Sequence, residues 1–172
     1  MVLAYCKHYL YLLLAICKQY FYDQAMKKVK SRSKCPISCL LDIIGDKWSL
    51  LIIRDIMFKN INTYGSFLTS DEKISTNILA DRLALLKTKG FIKAHSHPDN
   101  RLKIVYTLTQ KGLDLMPILM EIALWSDKYL EISDRGKELA KTVRADREAF
   151  IKKITDKHTV RNRKIPATDS RK

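Results

Sequence analysis

Residues 75–108 have the sequence STNILADRLALLKTKGFIKAHSHPDNRLKIVYTL, in which the spacing of apolar residues changes from helix-like to strand-like. Ser75 is a favourable N-cap, so we expect a helix from residue 76 to residue 89. Gly90 follows it, and glycine commonly ends helices because it adopts the left-handed backbone conformation without strain. The first half of the segment therefore predicts one helix with a defined start and end.

The second half of the segment predicts a β-hairpin. Residues 91–97 and 102–108 have the composition and alternation of strands. Between them, Pro98-Asp99-Asn100 is typical of a tight turn. A helix that leads directly into a hairpin of this kind is typical of winged helix-turn-helix proteins.

Upstream of this segment the chain is expected to be helical. Apolar residues from Ile37 to Ile44 recur at spacings of three and four. Gly45 is expected to end that helix, and Asp46 to cap a second one. A short helical turn is expected over residues 64–68.

Downstream, Thr109 is expected to cap a long helix of about 20 residues that ends near Leu130. Pro117 should kink it, because proline lacks a backbone N–H. Residues 132–155 are predicted to form a charged helical appendage. The last 15 or so residues are polar and basic, so we expect them to be disordered.

This order of elements predicts a mainly α fold with a small β-hairpin, a winged helix-turn-helix (α+β) with terminal dimerisation helices. The expected organisation is an apolar N-terminal extension (1–25), a basic N-terminal arm (26–34), a winged helix-turn-helix DNA-binding domain (35–108), a dimerisation helix (109–131) and a basic helical or disordered C-terminal appendage (132–172).

The charge of the chain favours a polyanionic partner. The 172 residues carry a net charge of +14, with 47% hydrophobic and 29% charged residues, which is compatible with a globular core. Residues 1–34 and 131–172 each contribute +6. Nucleic acid and an anionic membrane surface are the two partners that such a balance indicates.

In a helix-turn-helix the second helix enters the major groove. A helical projection of residues 76–89 predicts a core arc of Ile78, Leu79, Leu83, Leu85 and Leu86. The opposite arc, predicted to face DNA, consists of Thr76, Asn77, Ala80, Asp81, Ala84, Lys87 and Thr88.

The types of residue on that opposite arc suit base and phosphate contacts. Asn77 can bond adenine bidentately, and Thr76 can contact a thymine methyl or a phosphate. Ser75 and the neighbouring backbone amides can hold a phosphate at the helix N-terminus. Asp81 repels phosphates, so it either accepts from a cytosine amino group or lies outside the groove. Arg82 is expected to be a structural salt-bridge partner.

The hairpin is predicted to supply further DNA contacts. His97, Asn100, Arg101 and Lys103 are candidates, and the cations among them would neutralise phosphates without reading sequence. His95 and His97 are ambiguous, since lone histidines in a hairpin are more often ordinary surface residues than pH sensors. The full set of candidate DNA-binding residues is Ser75, Thr76, Asn77, Ala80, Lys87, His97, Asn100, Arg101 and Lys103.

The N-terminal residues 1–22 are apolar and aromatic and leave a second function class open. Their longest unbroken apolar run, from Tyr9 to Cys17, is nine residues, whereas a membrane span needs about 20. The length of this run disfavours a transmembrane helix, although the segment could anchor a basic protein at a membrane surface. Met26 begins a sequence typical of a natural start, so residues 1–25 are expected to precede the native protein.

The four cysteines, Cys6, Cys17, Cys35 and Cys39, indicate a reducing cytoplasm, since no pattern of a small secreted domain accompanies them. Cys35 and Cys39 lack nearby histidines, so we expect no metal site and no cofactor. A thiol redox protein is a further alternative, but the chain shows neither a C-x-x-C pair in a βαβ setting nor a cysteine with a poised base.

The chain resembles HxlR-type transcriptional regulators over roughly residues 34–130. The motifs that carry the resemblance are CPISCLLDIIGDKWSLLIIRDIMF (35–58), ISTNILADRLALLKTKGFI (74–92), VYTLTQKG (105–112), Pro117 and Trp125. The resemblance implies a homodimeric winged-helix repressor or activator that binds a double-stranded, inverted-repeat operator, and not an enzyme.

The resemblance also implies a role for one thiol. Cys35 matches the family cysteine beside the first helix, which senses oxidants or electrophiles in several members. A helix N-terminus with Arg32 and Lys34 nearby would favour the thiolate. An inert small residue at a helix start is an equally good interpretation of Cys35. Asp46 and Asp81 depart from the family pattern, and Asp81 puts the choice of operator in doubt.

Overall fold

A computed structural model describes residues 33–97 and 100–164. It contains α1 (Pro36–Ile44), α2 (Ser49–Arg54) with a π-helical extension (Asp55–Lys59), α3 (Tyr64–Leu68), α4 (Thr76–Thr88), β1 (Ile92–His97), β2 (Asn100–Leu108), α5 (Gln110–Leu113), α6 (Met116–Tyr129), α7 (Asp134–Ala145) and α8 (Arg147–Lys164). The predicted mainly α fold with one antiparallel hairpin is confirmed. The expectations for residues 1–32, including the apolar extension, the Met26 start and the arm, lie outside the described residues.

The junction between α1 and α2 forms as the sequence predicts. Gly45 ends α1, and a Cβ at this position would overlap the backbone carbonyl of Leu41. The Asp46 carboxylate accepts hydrogen bonds from the backbone N–H groups of Trp48 (2.8 Å) and Ser49 (3.0 Å). Burial raises the pKa of Asp46, but hydrogen bonds from Ser49 and Trp48 and the charge of Arg82 outweigh it, so its pKa lies below 3.8. The charged carboxylate therefore caps the turn that leads into α2.

The helix-turn-helix consists of α3 and α4 joined by a polar connector. The Thr63 side chain caps α3 by accepting from the backbone N–H of Ser66. The phenol of Tyr64 then donates to the backbone carbonyl of Thr76, at 2.9 Å, and so fixes the start of α4 against α3. Phe67 and Leu79, both fully buried, pack in the core beneath this junction.

The hairpin follows α4 directly. Gly90 takes a φ of 74°, in the left-handed region that glycine adopts without strain. The strands pair from Ile92↔Leu108 to Ser96↔Ile104, and the register then shifts so that His97 pairs with Asn100. The two predicted strands are confirmed, except that β2 begins at Asn100 and is irregular before Ile104.

The single long helix expected from Thr109 to Leu130 is wrong. The structure has two helices, α5 and α6, separated at Asp114 and Leu115. Pro117 lies in the first turn of α6, where its missing N–H has no intrahelical partner to lose. The interruption therefore comes before the proline, and the proline starts a helix instead of kinking one.

The last 15 or so residues were expected to be disordered, and this prediction is wrong for those up to Lys164, which belong to α8. Helix α8 packs on the π-helical extension of α2 and on the end of β2. His158 Nε2 lies 3.0 Å from the Met57 carbonyl oxygen, and Asn162 donates to the Leu108 carbonyl at 3.1 Å. Specific polar contacts hold this polar helix in place, and its composition gives no sign of them.

The buried His158 predicts an acid-sensitive fold. It is 1% exposed, and burial lowers its pKa from 6.5, only partly offset by its hydrogen bond to Met57. The unfolded chain then binds the proton more readily, so stability falls as the pH drops below 6.5. His158→Gln can still donate to Met57 but does not titrate. Between about pH 7.5 and 5.5, we expect the melting temperature of the variant to fall less than that of the wild type.

Thermal unfolding at both pH values measures this effect. A residual dependence should remain in the variant, because burial and the charge of Lys93 also lower the pKa of His95. An unchanged pH dependence in His158→Gln would show that His158 is protonated with little cost in the folded protein.

Candidate nucleic-acid interface

The first turn of α4 is exposed. Ser75, Thr76 and Asn77 all lie at the surface. Ser75 has the extended backbone of an N-cap (φ −73°, ψ 153°), and its hydroxyl makes no capping hydrogen bond within the helix. Backbone N–H groups at a helix start point along the axis and lack intrahelical partners, so this turn can receive a phosphate.

The outer face of α4 continues this exposed surface. Asp81, Lys87 and Thr88 are exposed, and Ala80 and Ala84 are half-buried between them. The small alanine side chains leave the helix backbone close to the surface. This geometry is what a helix needs to approach base edges in a groove.

The buried side of α4 is narrower than the helical projection predicts. Leu79, Leu83 and Leu86 are buried, but Leu85 is half-buried and Ile78 is 38% exposed. The placement of Ile78 in the core is therefore wrong. The helix meets the core along one row of leucines, and Ile78 lies at the margin of the outer face, beside Asn77.

The structural role expected for Arg82 is confirmed. Its guanidinium lies 3.3 Å from the Asp46 carboxylate, which ties α4 to the turn before α2. Lys111 is a second structural cation. It lies over the Phe91 ring, 4.5 Å from the centroid, and donates to the backbone carbonyl of Lys89 at 2.9 Å. Both side chains hold α4 in place and do not extend from its outer face.

The β1–β2 hairpin, which is the wing of this fold, places cations and polar groups at the surface. Lys93, Asn100 and Lys103 are exposed, and His97 is half-buried. His95 is also half-buried, with Nε2 3.1 Å from the Thr107 hydroxyl, so it belongs to the hairpin's own structure. Arg101 lies in β2 at the irregular register, and its side chain is outside the described residues.

Two surface residues at this site were missed by the sequence reasoning. Lys73 is exposed just before α4, with a left-handed φ of 51°. Lys93 is exposed on β1. The connector before Ser75 has no periodicity, so no sequence pattern indicates where the Lys73 side chain points.

The two described cysteines are both thiols. Cys35 is exposed at the N-cap of α1, and Cys39 is half-buried one turn further on. The Cys39 sulfur donates to the backbone carbonyl of Ser33 at 3.3 Å. Cys35 is thus the more accessible thiol of the two.

Residues 33–97 and 100–164 contain neither a metal-type cluster of side chains nor a helix suited to a membrane. No three histidine, cysteine or acidic side chains there are grouped as metal ligands would be. None of the helices in these ranges combines the length and apolar character that a membrane crossing requires.

The exposed helix, its short partner helix and the basic hairpin define a winged helix-turn-helix. Residues 43–144 match the model of the HxlR-like helix-turn-helix family, and the chain belongs to that family. Its relatives are named as transcriptional regulators, and the family is one of regulators, not of enzymes.

Individual relatives support this assignment. The chain is 32% identical over 97 residues to an uncharacterized HTH-type transcriptional regulator, sll1512, of Synechocystis sp., covering 56% of this chain and 71% of that one. It is 28% identical over 101 residues to the HTH-type transcriptional regulator YodB of Bacillus subtilis, covering 58% and 89%. Among solved structures it is similar to PA1607, with a TM-score of 0.54 and 36% identity, covering 60% of this chain and 71% of that one.

Proposed function

We propose that this regulator binds a specific inverted-repeat operator as a homodimer, with the outer face of α4 in the major groove. The observation that carries the proposal is the exposed turn Ser75–Asn77, which continues into the small residues Ala80 and Ala84 on one face of α4. The basic hairpin follows this helix after a single glycine turn. A DNA operator as partner also implies the cytoplasm as the location of the protein.

Base reading is assigned to the first two turns of α4. Asn77 presents an amide that can pair bidentately with adenine, and Thr76 offers a hydroxyl and a methyl group. The exposed Ile78 can contact a thymine methyl from the margin of the same face. These contacts distinguish sequences, whereas contacts with phosphate only position the protein.

Phosphate binding is assigned to the surrounding cations. Lys87 lies on the last turn of α4, and Lys103 lies on the wing with Asn100 and Arg101. His97 is at the tip of the same hairpin. Neutralising several phosphates releases counterions, so affinity should fall steeply as salt rises.

Pairing of two copies is assigned to an apolar stripe on α6. Ile118, Ile122, Trp125 and Tyr129 recur at spacings of four, three and four, so they lie on one face of the helix. They are between 36% and 57% exposed, and the rings of Trp125 and Tyr129 lie 5.1 Å apart. A contiguous exposed apolar face of this kind marks an interaction surface.

The second copy is the occupant that fits this stripe. DNA-reading helices that enter successive major grooves require a twofold pair of protomers. Ile37 and Leu41 on α1 are also exposed, at 69% and 51%, and are further apolar side chains that a second copy could cover. The stripe thus supports the prediction that the segment 109–131 is a dimerisation element, in the form of α6.

A gel-shift titration with the DNA upstream of the protein's own gene tests the proposal. We expect the upstream fragment to bind well ahead of random DNA of equal length at physiological salt, with affinity that falls as salt rises. Equal binding of both fragments would leave a basic protein without operator specificity and would overturn the proposal.

We also propose that Cys35 is the thiol through which oxidants or electrophiles act. Its side chain is exposed at the start of α1, and α1 ends at the Asp46 turn that Arg82 of α4 contacts. Modification at Cys35 can therefore be transmitted through α1 toward the recognition helix. Cys39 is half-buried, and its thiol donates a hydrogen bond to the backbone carbonyl of Ser33, which makes it the less reactive of the two thiols.

Cys35→Ser is expected to bind the operator like the wild type but to lose the response to diamide or a quinone. The serine preserves the size of an exposed side chain, so folding and DNA binding should not change. Operator binding measured with and without diamide gives the readout, and Cys39→Ser is the matched control that should remain sensitive. Undiminished sensitivity in Cys35→Ser would remove the sensing role from this residue.

A further inference from the structure

A cavity of about 770 Å³ lies between the N-terminal part of the described chain and its C-terminal helices. Its walls come from α2 and its π-helical extension on one side and from α6, α7 and α8 on the other. The apolar floor includes Leu50, Phe58, Leu119, Ala123, Leu139 and Phe150. The rings of Phe58 and Phe150, 5.9 Å apart, join the two sides.

The size and lining of this cavity are those of a small-molecule site. Such sites commonly enclose about 300–1,000 Å³, with mostly apolar walls and a few polar groups at one edge. Helix α8, which supplies Phe150 and Ile154, lies wholly beyond the residues 43–144 that match the family model. The C-terminal appendage of this chain therefore completes the cavity.

The charged residues at the cavity are unevenly paired. Most of them form ion pairs within the protein: Asp46 with Arg82, Arg54 with Glu72, and Lys59 with Asp71.

Two of the described charged residues that line the cavity, Lys47 and Arg135, have no acidic partner. Lys47 lies at the α1–α2 turn, with Nζ 4.7 Å from the centroid of the Trp48 ring, and Arg135 is exposed on α7. The charge left uncompensated at the cavity is therefore positive.

We propose that this cavity binds a small organic acid with an apolar body and a single carboxylate. The apolar part would lie on the aliphatic and aromatic floor and remove it from water. The carboxylate would pair with Lys47 or Arg135, the two cations that no protein carboxylate neutralises. A neutral apolar molecule of the same size would lack the second interaction, and an organic cation would be repelled.

Octanoate is a suitable probe, and octan-1-ol is its neutral counterpart. Isothermal titration or saturation-transfer NMR with the full chain, in the absence of DNA, measures binding without reference to the proposed operator function. We expect octanoate to bind at least tenfold more tightly than octan-1-ol. The titration is run across a range of protein concentrations, because Ile122 belongs both to the cavity wall and to the α6 stripe.

Two variants test the apolar floor of the cavity and the two cations Lys47 and Arg135 separately. Ala123→Phe fills the cavity and should abolish binding of both probes. The double variant Lys47→Ala/Arg135→Ala should weaken octanoate about tenfold, to the level of octan-1-ol. Lys47 and Arg135 are exposed, so the double variant keeps the test decisive if Ala123→Phe fails to fold. Lys141→Ala/Lys152→Ala is the matched control, since these exposed cations of α7 and α8 do not line the cavity and octanoate binding should be unchanged.

Three results would overturn the proposal. Octanoate binding that persists in a folded Ala123→Phe variant would place the acid elsewhere on the protein. Equal affinity for octanoate and octan-1-ol would remove the role of Lys47 and Arg135. Absence of binding at every protein concentration would mean that another part of the chain or a second copy covers this cavity.

Discussion

Replacing Asn77 with aspartate is expected to lower operator affinity by roughly 10- to 100-fold while leaving the fold intact, since a bidentate base contact is worth about 1–3 kcal/mol. The change keeps the shape of the side chain, removes the amide donor and adds a negative charge that faces DNA. An acidic residue in the first turn of α4 also favours the helix dipole, so stability should be equal or slightly higher.

Fluorescence anisotropy with the operator, together with thermal unfolding, measures both parts of this prediction. Lys141→Glu is the control, because it is exposed on α7 and changes the net charge by twice as much. It should bind the operator nearly as well as the wild type. A loss in Lys141→Glu equal to that in Asn77→Asp would attribute the effect to overall charge and not to the face of α4.

Replacing Trp125 with glutamate is expected to separate the proposed dimer and, with it, to abolish tight binding of the proposed inverted repeat. Trp125 is 57% exposed in the protomer, so its removal should cost little folding stability. At an interface, a central tryptophan contributes about 2 kcal/mol or more, which corresponds to a rise of roughly 30-fold or more in the dimer dissociation constant. Burying a glutamate opposite a second apolar stripe adds to this effect.

Sedimentation velocity over a range of concentrations gives the dimer dissociation constant directly. Lys152→Glu, an exposed change on α8, is the matched control and should sediment like the wild type. If Trp125→Glu remains dimeric at the wild-type constant, the α6 stripe is not the interface and another surface must pair the protomers.

The local elements of residues 36–108 could be predicted because each is specified by residues close in sequence. Ser75 and Gly90 mark the ends of α4. Asp46 caps the turn before α2 by accepting a hydrogen bond from the backbone N–H of Trp48, two residues further on. The errors occur where tertiary contacts decide the structure. The predicted long helix divides at Asp114 and Leu115, just after Gly112, which packs against the Phe91 carbonyl. The buried His158 lies in the last part of α8, which composition alone predicts to be disordered.

The candidate site shows the same division. The exposure of Thr76 and Asn77 and the role of Arg82 follow from helical spacing and residue type. The exposure of Ile78 does not, because the width of the buried face depends on what α4 packs against. The cavity lined by Arg135 and Phe150 could not be predicted, since its walls are brought together by helices far apart in the sequence.

In the proposed complex, two copies of the α4–hairpin surface read a twofold-related pair of DNA half-sites. A hydroxyl-radical footprint on the DNA upstream of the gene tests it most directly. We expect two protected tracts related by a dyad and centred one or two helical turns apart, with one turn of roughly 34–36 Å. Protection of a single tract, or diffuse protection without a preferred position, would contradict the account.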